Sequence, residues 1–353
     1  MNYKIIKYVV GWVLIFEAIF MAPALLAAVI YQEKAGYALL LSMGLCVLAG
    51  FLLTRKRIKN KSMYAKEGFV TVALCWITLS AFGALPFVFA GAIPSYADAL
   101  FEVVSGFTTT GSSILTDVEA LPKCLLFWRS FTHWIGGMGV LVFVMAILPL
   151  AGGNNMYLMK AESPGPSVGK LVPKVRGTAG LLYGMYIGLS VVQLLLLLLG
   201  GMPLFDALCT TFGTAGTGGF GVRNDSMASY SAYLQAVVTV FMILFGVNFN
   251  AYYLLLKKRV KPAFRMEEVR AYFGIIAAAI LLITINISEM FPNVRMAFHH
   301  AAFQVGTIIT TTGFATTDFN LWPSFSKTIL VLLMFIGACA GSTGGGIKVS
   351  RIV

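Results

Sequence analysis

Three stretches of this chain end in threonine–glycine, and each lies between two long apolar runs. They are Thr108-Thr109-Thr110-Gly111, Ala215-Gly216-Thr217-Gly218 and Thr310-Thr311-Thr312-Gly313. Sliding the first by 202 positions lays it on the third without a gap, with Phe101 on Phe303 and Val103 on Val305. Glycine to glycine, the second stretch lies 107 residues after the first and 95 before the third. The chemistry such loops supply is coordination of a dehydrated cation. Backbone carbonyls replace the lost water only where consecutive peptides turn the same way, and glycine reaches the positive φ this needs without steric cost. Threonine adds a hydroxyl to its carbonyl. One Thr-Gly pair would carry no signal; three between apolar runs read as repeated sides of one ion filter.

A second group with chemical consequence is 337–346, which holds Gly337, Gly341, Ser342, Thr343, Gly344, Gly345 and Gly346. Each glycine costs a helix about 1 kcal/mol against alanine, so an apolar helix arriving at Gly337 ends there. By residue type alone the break is a kink or the end of a helix. It is not a phosphate loop, because Ile347 separates Gly346 from Lys348 and an apolar helix, not a strand, precedes it. His133, His299 and His300 lack a carboxylate partner at a telling spacing and read as satisfied interface histidines, not catalytic ones. Cys46, Cys75, Cys124, Cys209 and Cys339 contain no C-x-x-C, so neither a disulfide frame nor a metal site follows. Glu17 is the only charge inside the first apolar run. An intramembrane acid is a functional candidate by default, but its surroundings offer no other chemistry and it reads as a packing contact.

The elements that must hold these loops are membrane helices. The chain is 58% hydrophobic and 11% charged, with a mean hydropathy of +0.84; soluble domains carry roughly 25% charged residues. Eight apolar runs are long enough to cross, at roughly 8–30, 37–54, 69–91, 125–149, 177–200, 232–256, 271–288 and 323–347. The first two form a hairpin. After Lys66 a unit recurs: span, short external helix, Thr-Gly loop, span, basic loop. Its short helices are expected at 97–107 behind Pro94 and Ser95, at 204–214 behind Pro203 and at 293–309 behind Pro292; proline suits the first turn of a helix. The first, at about three turns, is too short to cross, and non-helical backbone at membrane depth must be buried or line a watery cavity. The loops are therefore expected to face a pore, with the partly negative ends of the short helices aimed at it. The domain reading is a two-helix hairpin over 1–67, then units over 68–176, 177–265 and 266–353.

The net charge of +12 does not point to nucleic acid. With the N-terminus inside and eight spans, 20 of the 26 basic residues fall on one side, in the loops around Lys4, Arg55–66, 160–176, 257–270 and Lys348. This is the positive-inside asymmetry, and the excess faces cytoplasm and anionic lipid. The other side carries nine acids, Glu33, Asp98, Glu102, Asp117, Glu119, Asp206, Asp225, Glu289 and Asp318, a set that could gather cations at a pore mouth. Residues 127–134 read as an interfacial aromatic belt, and Gly136, Gly137 and Gly139 as a place where another helix approaches closely.

Together, Ser105-Gly106-Phe107-Thr108-Thr109-Thr110-Gly111-Ser112-Ser113, Thr217-Gly218-Gly219-Phe220, Thr310-Thr311-Thr312-Gly313-Phe314 and Ala340-Gly341-Ser342-Thr343-Gly344-Gly345-Gly346-Ile347-Lys348 resemble the Trk/Ktr/HKT superfamily of potassium transporters. The N-terminal hairpin favours its TrkH-type membrane subunits. The resemblance covers essentially the whole chain. It implies an all-α membrane protein with tandem helix–pore-loop–helix repeats around one pore, and potassium as the transported ion with no other cofactor. It implies filter positions at Thr109, Thr110, Gly111, Gly216, Thr217, Gly218, Thr311, Thr312 and Gly313, with Gly111, Gly218 and Gly313 as the key glycines. The gate falls at Gly337, Gly341, Ser342, Thr343, Gly344, Gly345 and Gly346. It further implies a homodimer in the bacterial inner membrane and a cytosolic ring of nucleotide-binding, TrkA-like subunits that act on the gate, while the basic loops 170–176 and 257–270 read first as topological signals and second as a docking place for such a regulator. The family has four repeats where this chain has three, so the chain is expected to be truncated before the fourth.

Two other classes fit less well. A coupled secondary transporter of another monovalent cation such as Na⁺ would call for inverted repeats and buried ionisable groups, whereas these repeats run parallel and only Glu17 is intramembrane. A membrane enzyme would need clustered acids, histidines or metal ligands at one face.

Overall fold

A computed structural model of the protein describes residues 1–55, 64–137, 139 and 175–353. Every regular element among these residues is helical. Among the described residues five helices are long and apolar enough to cross a membrane, or six if one sharply bent pair counts as a single span.

The described residues fall into two compact units. One takes in Met1–Thr108 and continues from Ser112 up to Tyr183; the other takes in Thr109–Gly111 and Gly184–Val353. The first opens with the hairpin α1 (Tyr3–Ile30) and α2 (Gly36–Thr54). The two helices meet through glycines: a Cβ on Gly11 would lie 2.9 Å from the Gly50 carbonyl oxygen, and one on Gly50 would sit equally tight on Gly11. Small residues let membrane helices approach backbone to backbone. Helices α3 (Ala65–Gly83) and α4 (Leu85–Phe89) follow as one apolar stretch, then the short α5 (Tyr96–Phe107) and α6 (Lys123–Gly137). Ser95 caps α5 by accepting from the Asp98 N–H at 3.4 Å. The remainder of the expected 125–149 span, and the loop up to 174 expected in the cytoplasm, lie outside the described residues apart from residue 139. Helix α7 (Val175–Leu199) leads from this unit into the next.

The second unit contains α8 (Leu204–Ala215), α9 (Ala232–Phe245), α10 (Phe249–Leu256), α11 (Val260–Arg265), α12 (Glu267–Ile287), α13 (Val294–Ile309) and α14 (Ser324–Ile336). Its core includes Tyr272, Ile276 and Ile283 of α12, Ala297, Ala301, Val305 and Ile309 of α13, and Leu330 and Leu333 of α14. The fourfold spacing 297, 301, 305 places one small stripe of α13 along a single face, and that face packs in the core shared with α12 and α14. The short helices thus stand at 96–107, 204–215 and 294–309, within two residues of the expected bounds.

One expected span is broken. The run 232–256 divides into α9 and α10, bent by 92°. An unbroken helix would pair the Phe249 N–H with the Phe245 carbonyl. Here the Phe249 N–H donates to the Gly341 carbonyl at 3.1 Å, and the Phe245 carbonyl accepts from the Thr343 N–H at 3.4 Å. The Gly246 carbonyl accepts from the Cys339 N–H at 3.0 Å, and Asn248 starts the new helix by accepting from the Asn250 N–H at 2.9 Å. The glycine-rich segment has taken the hydrogen bonds that would have continued the helix.

Candidate functional site

Each short helix runs into a loop with the same backbone. Thr109 and Gly111 have φ of 54° and 78°, Thr217 and Gly219 of 53° and 78°, and Thr311 and Gly313 of 58° and 90°. Only the middle residue of each trio stays at negative φ. Such alternation swings successive peptides to one side, the requirement for carbonyls that share a face. Hydrogen bonds repeat with the same register: the Gly218 N–H donates to the Gly213 carbonyl at 3.0 Å, and the Thr312 N–H to the Thr307 carbonyl at 2.8 Å.

This register differs by one from the sequence alignment in the second repeat. Gly219, not Gly218, occupies the place of Gly111 and Gly313. Gly218 matches Thr110 and Thr312, Thr217 matches Thr109 and Thr311, and Gly216 matches Thr108 and Thr310. The alignment slipped because it equated Thr-Gly pairs, and Thr217-Gly218 imitates Thr110-Gly111 while the positive-φ glycine comes next.

Thr109–Gly111 clusters with the second unit, and within it the three loops touch in sequence. A Cβ on Gly111 would overlap the Gly218 carbonyl oxygen, and one on Gly219 would overlap the Thr312 carbonyl oxygen. The same relation thus links the first loop to the second and the second to the third. At Gly313 a Cβ would meet nothing within 4 Å.

Below these loops the segment 337–346 folds back on itself as a narrow hairpin. Gly337 and Gly346 form its neck with φ of 72° and 80°, and a side chain on either would collide with the backbone of the other strand. Filter threonines hold its second strand. The Thr217 hydroxyl donates to the Thr343 carbonyl at 3.0 Å, and the Gly345 N–H donates to the Thr311 hydroxyl at 2.8 Å. The Lys348 ammonium donates to the Gly344 carbonyl. Gly341 has φ of 67° beside Asn248, and Ser342 turns its hydroxyl back to the Cys339 carbonyl at 2.6 Å. The residues expected at the filter and at the gate are therefore brought together by direct hydrogen bonds.

Several of the acids expected outside have structural partners rather than an open mouth. Glu102 and Arg129 form a buried ion pair at 2.6 Å, with side chains 0% and 3% exposed. Glu102 also accepts from the Ser113 hydroxyl at 2.8 Å and the Ile114 N–H at 3.0 Å, two and three residues past Gly111. Glu33 accepts from the Lys123 and Cys124 N–H groups at the start of α6. Asp206 accepts from the Tyr230 hydroxyl at 2.7 Å. The stretch expected as an interfacial belt is packed inside instead: Phe127, Trp128 and Phe131 are buried, and the Trp128 indole donates to the Gly83 carbonyl at 3.0 Å. Close approach at Gly136 does occur, against the Phe107 carbonyl at the end of α5.

The His299 imidazole meets the Gln235 side-chain oxygen at 2.6 Å, and His300 meets the Thr316 hydroxyl at 3.0 Å. Gln235 donates its amide to the Met227, Ala228 and Tyr230 carbonyls, so His299 must supply the proton of their shared bond. Burial holds both imidazoles below the usual range, helped by the charge of Arg295 at His299 and by His299 at His300. His133 is fully buried in α6. Glu17 is buried against Gly83, and its carboxylate has no hydrogen-bond partner among the described residues.

Apolar crossing helices, short helices capped at one end, and repeated loops of one backbone define a multi-pass helical membrane protein. Residues 38–353 match the model of the TrkH family, described as cation transport protein. The Trk system potassium uptake protein TrkH of Escherichia coli K12 is 36% identical over 361 residues, a match spanning all of this chain and 74% of that protein. TrkG of the same strain, also named a Trk system potassium uptake protein, is 32% identical, over 99% of this chain and 73% of its own. The crystal structure of the potassium transporter TrkH from Vibrio parahaemolyticus superposes with a TM-score of 0.86 at 32% identity, again over all of this chain and 74% of that one. The chain belongs to the TrkH family of cation transport proteins. About a quarter of each of these relatives lies outside the match.

Proposed function

We propose that this protein takes up potassium through a pore whose filter is built from 109–111, 217–219 and 311–313, with 337–346 as the gate beneath it. The observation that carries the reading is the identical backbone of three loops, each set against the next by the same glycine-to-carbonyl approach. Carbonyls so arranged replace the hydration shell of a monovalent cation. A conducting pore also needs a side set against Gly313, so function is assigned to the complete protein. The relatives named above for potassium uptake supply the choice of ion. The charge asymmetry supports an N-terminus in the cytoplasm of a bacterial inner membrane. There the basic loops, including 257–270, would meet a cytosolic nucleotide-binding ring of the TrkA-like kind, on a homodimer of the membrane subunit. No residue in the site needs to act as a catalyst.

Liposomes carrying the complete protein should accumulate potassium along an imposed gradient and prefer it to sodium. Equal fluxes of the two ions would remove the filter from this reading. Removing residues 341–346 should raise basal flux severalfold with the potassium-to-sodium ratio unaltered, because the hairpin blocks passage without choosing the ion. Loss of flux in a well-folded deletion would show that the hairpin supports the pore instead of closing it.

A further inference from the structure

The glycine-rich hairpin is held on both of its strands. Filter threonines hold one, as described above. On the other, the Ala340 N–H donates to one Glu268 carboxylate oxygen at 2.5 Å, and the Asn248 amide donates to the other at 3.0 Å. The oxygen of that amide is already engaged as the cap of α10. The orientation of Asn248 is thereby fixed, and Glu268 faces two N–H donors, one from the hairpin and one from the bend in the second repeat.

Glu268 is the second residue of α12, directly after the segment 257–266. That segment holds Lys257, Lys258, Arg259, Lys261 and Arg265 and the short helix α11, and by its charge it faces the cytoplasm. Any displacement of the segment moves the first turn of α12 and, with it, the carboxylate. An acid in a first turn also interacts favourably with the helix dipole, but Glu267 stands in the same turn and is exposed. The helix dipole therefore explains an acid at this end, not the bonds to Ala340 and Asn248.

We infer that Glu268 is the latch through which the cytoplasmic segment 257–266 holds the gating hairpin closed. The inference rests on the gate reading above and names the residue that connects it to the cytoplasmic face. Pulling α12's first turn away removes the acceptor from Ala340 and frees the first strand of the hairpin, while the filter glycines stay where they are. Glu268 is a positioning residue: it touches the gate's backbone, not the ion.

The test is basal potassium and sodium flux in liposomes carrying the complete protein without cytosolic partners. Glu268→Gln keeps size and shape but presents an amide donor to either Ala340 or Asn248, so one of the two bonds is lost; Glu268→Ala loses both. Losing a hydrogen bond to a charged group should shift the open-to-closed ratio roughly ten- to a hundredfold. Flux should rise in the order wild type, Glu268→Gln, Glu268→Ala, with an unaltered potassium-to-sodium ratio. Asn248→Asp keeps a good helix cap but sets a second carboxylate against Glu268, and should raise flux as well, which covers the case of a Glu268 variant that does not fold. Glu267→Gln should match wild type. The 341–346 deletion separates the two ideas. If the deletion raises flux while folded Glu268→Gln and Asn248→Asp proteins conduct like wild type, the latch is overturned and the gate stands. If the deletion does not raise flux, the gate falls and the latch with it. A rise in Glu267→Gln equal to that in Glu268→Gln would reduce the effect to helix-end charge and overturn the latch.

Discussion

Gly219→Ser in the complete protein should weaken the preference for potassium over sodium by about fivefold or more, whereas Gly218→Thr should leave it near the wild-type value. Gly219 has φ of 78°, and any Cβ there would overlap the Thr312 carbonyl oxygen of the neighbouring loop. A side chain in the left-handed region costs about 1–2 kcal/mol before that collision is counted, and one to two kcal/mol is a factor of about 5–30 in an equilibrium. The structure can relieve the strain only by rotating the peptide or pushing the Thr312 carbonyl away, and both movements spoil the spacing of oxygens around the ion. Gly111→Ser should behave like Gly219→Ser, since its Cβ would strike the Gly218 carbonyl. Gly218 stands where the other two loops carry Thr110 and Thr312, at negative φ, so threonine there restores a residue type the loop already accommodates twice. Reversal potentials under opposed potassium and sodium gradients measure the ratio. If Gly218→Thr is as damaging as Gly219→Ser, the backbone register does not describe the conducting loop; if neither moves the ratio, the loops are not the filter.

The one-residue difference between sequence and structure at this loop has a physical source. Threonine–glycine pairs are visible in the sequence, but the sign of φ is not, and Thr217-Gly218-Gly219 offers two glycines of which only one needs the left-handed region. The helices were more legible, because a short apolar helix behind proline or serine leaves its mark in residue type: α5, α8 and α13 begin next to Ser95, Pro203 and Asn293. The break between α9 and α10 was hidden for the opposite reason. Residues 232–256 carry no charge and contain a single glycine, Gly246. What stops the helix is competition for its hydrogen bonds by residues 339–343, about a hundred positions away. Glu268 was hidden likewise. By sequence it is one acid in a basic cytoplasmic stretch, and only the fold brings it to Ala340. Burial is equally invisible in charge sorting, which groups Glu102 with exposed Asp117 although Glu102 is paired inside the protein.

That pair carries the second large effect: Arg129→Ala should destabilise the protein by about 3–5 kcal/mol, the cost of leaving a buried charge without its partner. Glu102 receives Arg129, the Ser113 hydroxyl and the Ile114 N–H together, and it has no other charged neighbour among the ion pairs of the described residues. Without Arg129 the carboxylate must either take up a proton or draw in water, and either change slackens its hold on the chain just past Gly111. The corresponding position in the third repeat, 202 residues on, is Gln304. It is also buried, but its side-chain amide has no hydrogen-bond partner among the described residues. Replacing an unsatisfied buried polar group by an apolar one of similar shape is close to neutral or stabilising, so Gln304→Leu should keep the wild-type thermal midpoint or exceed it. Thermal unfolding in detergent compares the variants. Arg129→Ala should fall well below wild type, and Glu102→Gln combined with Arg129→Ala should recover part of the loss, because the stranded charge is gone. A midpoint for Arg129→Ala equal to that of Gln304→Leu would mean that water reaches Glu102 and that the pair does not brace the first loop.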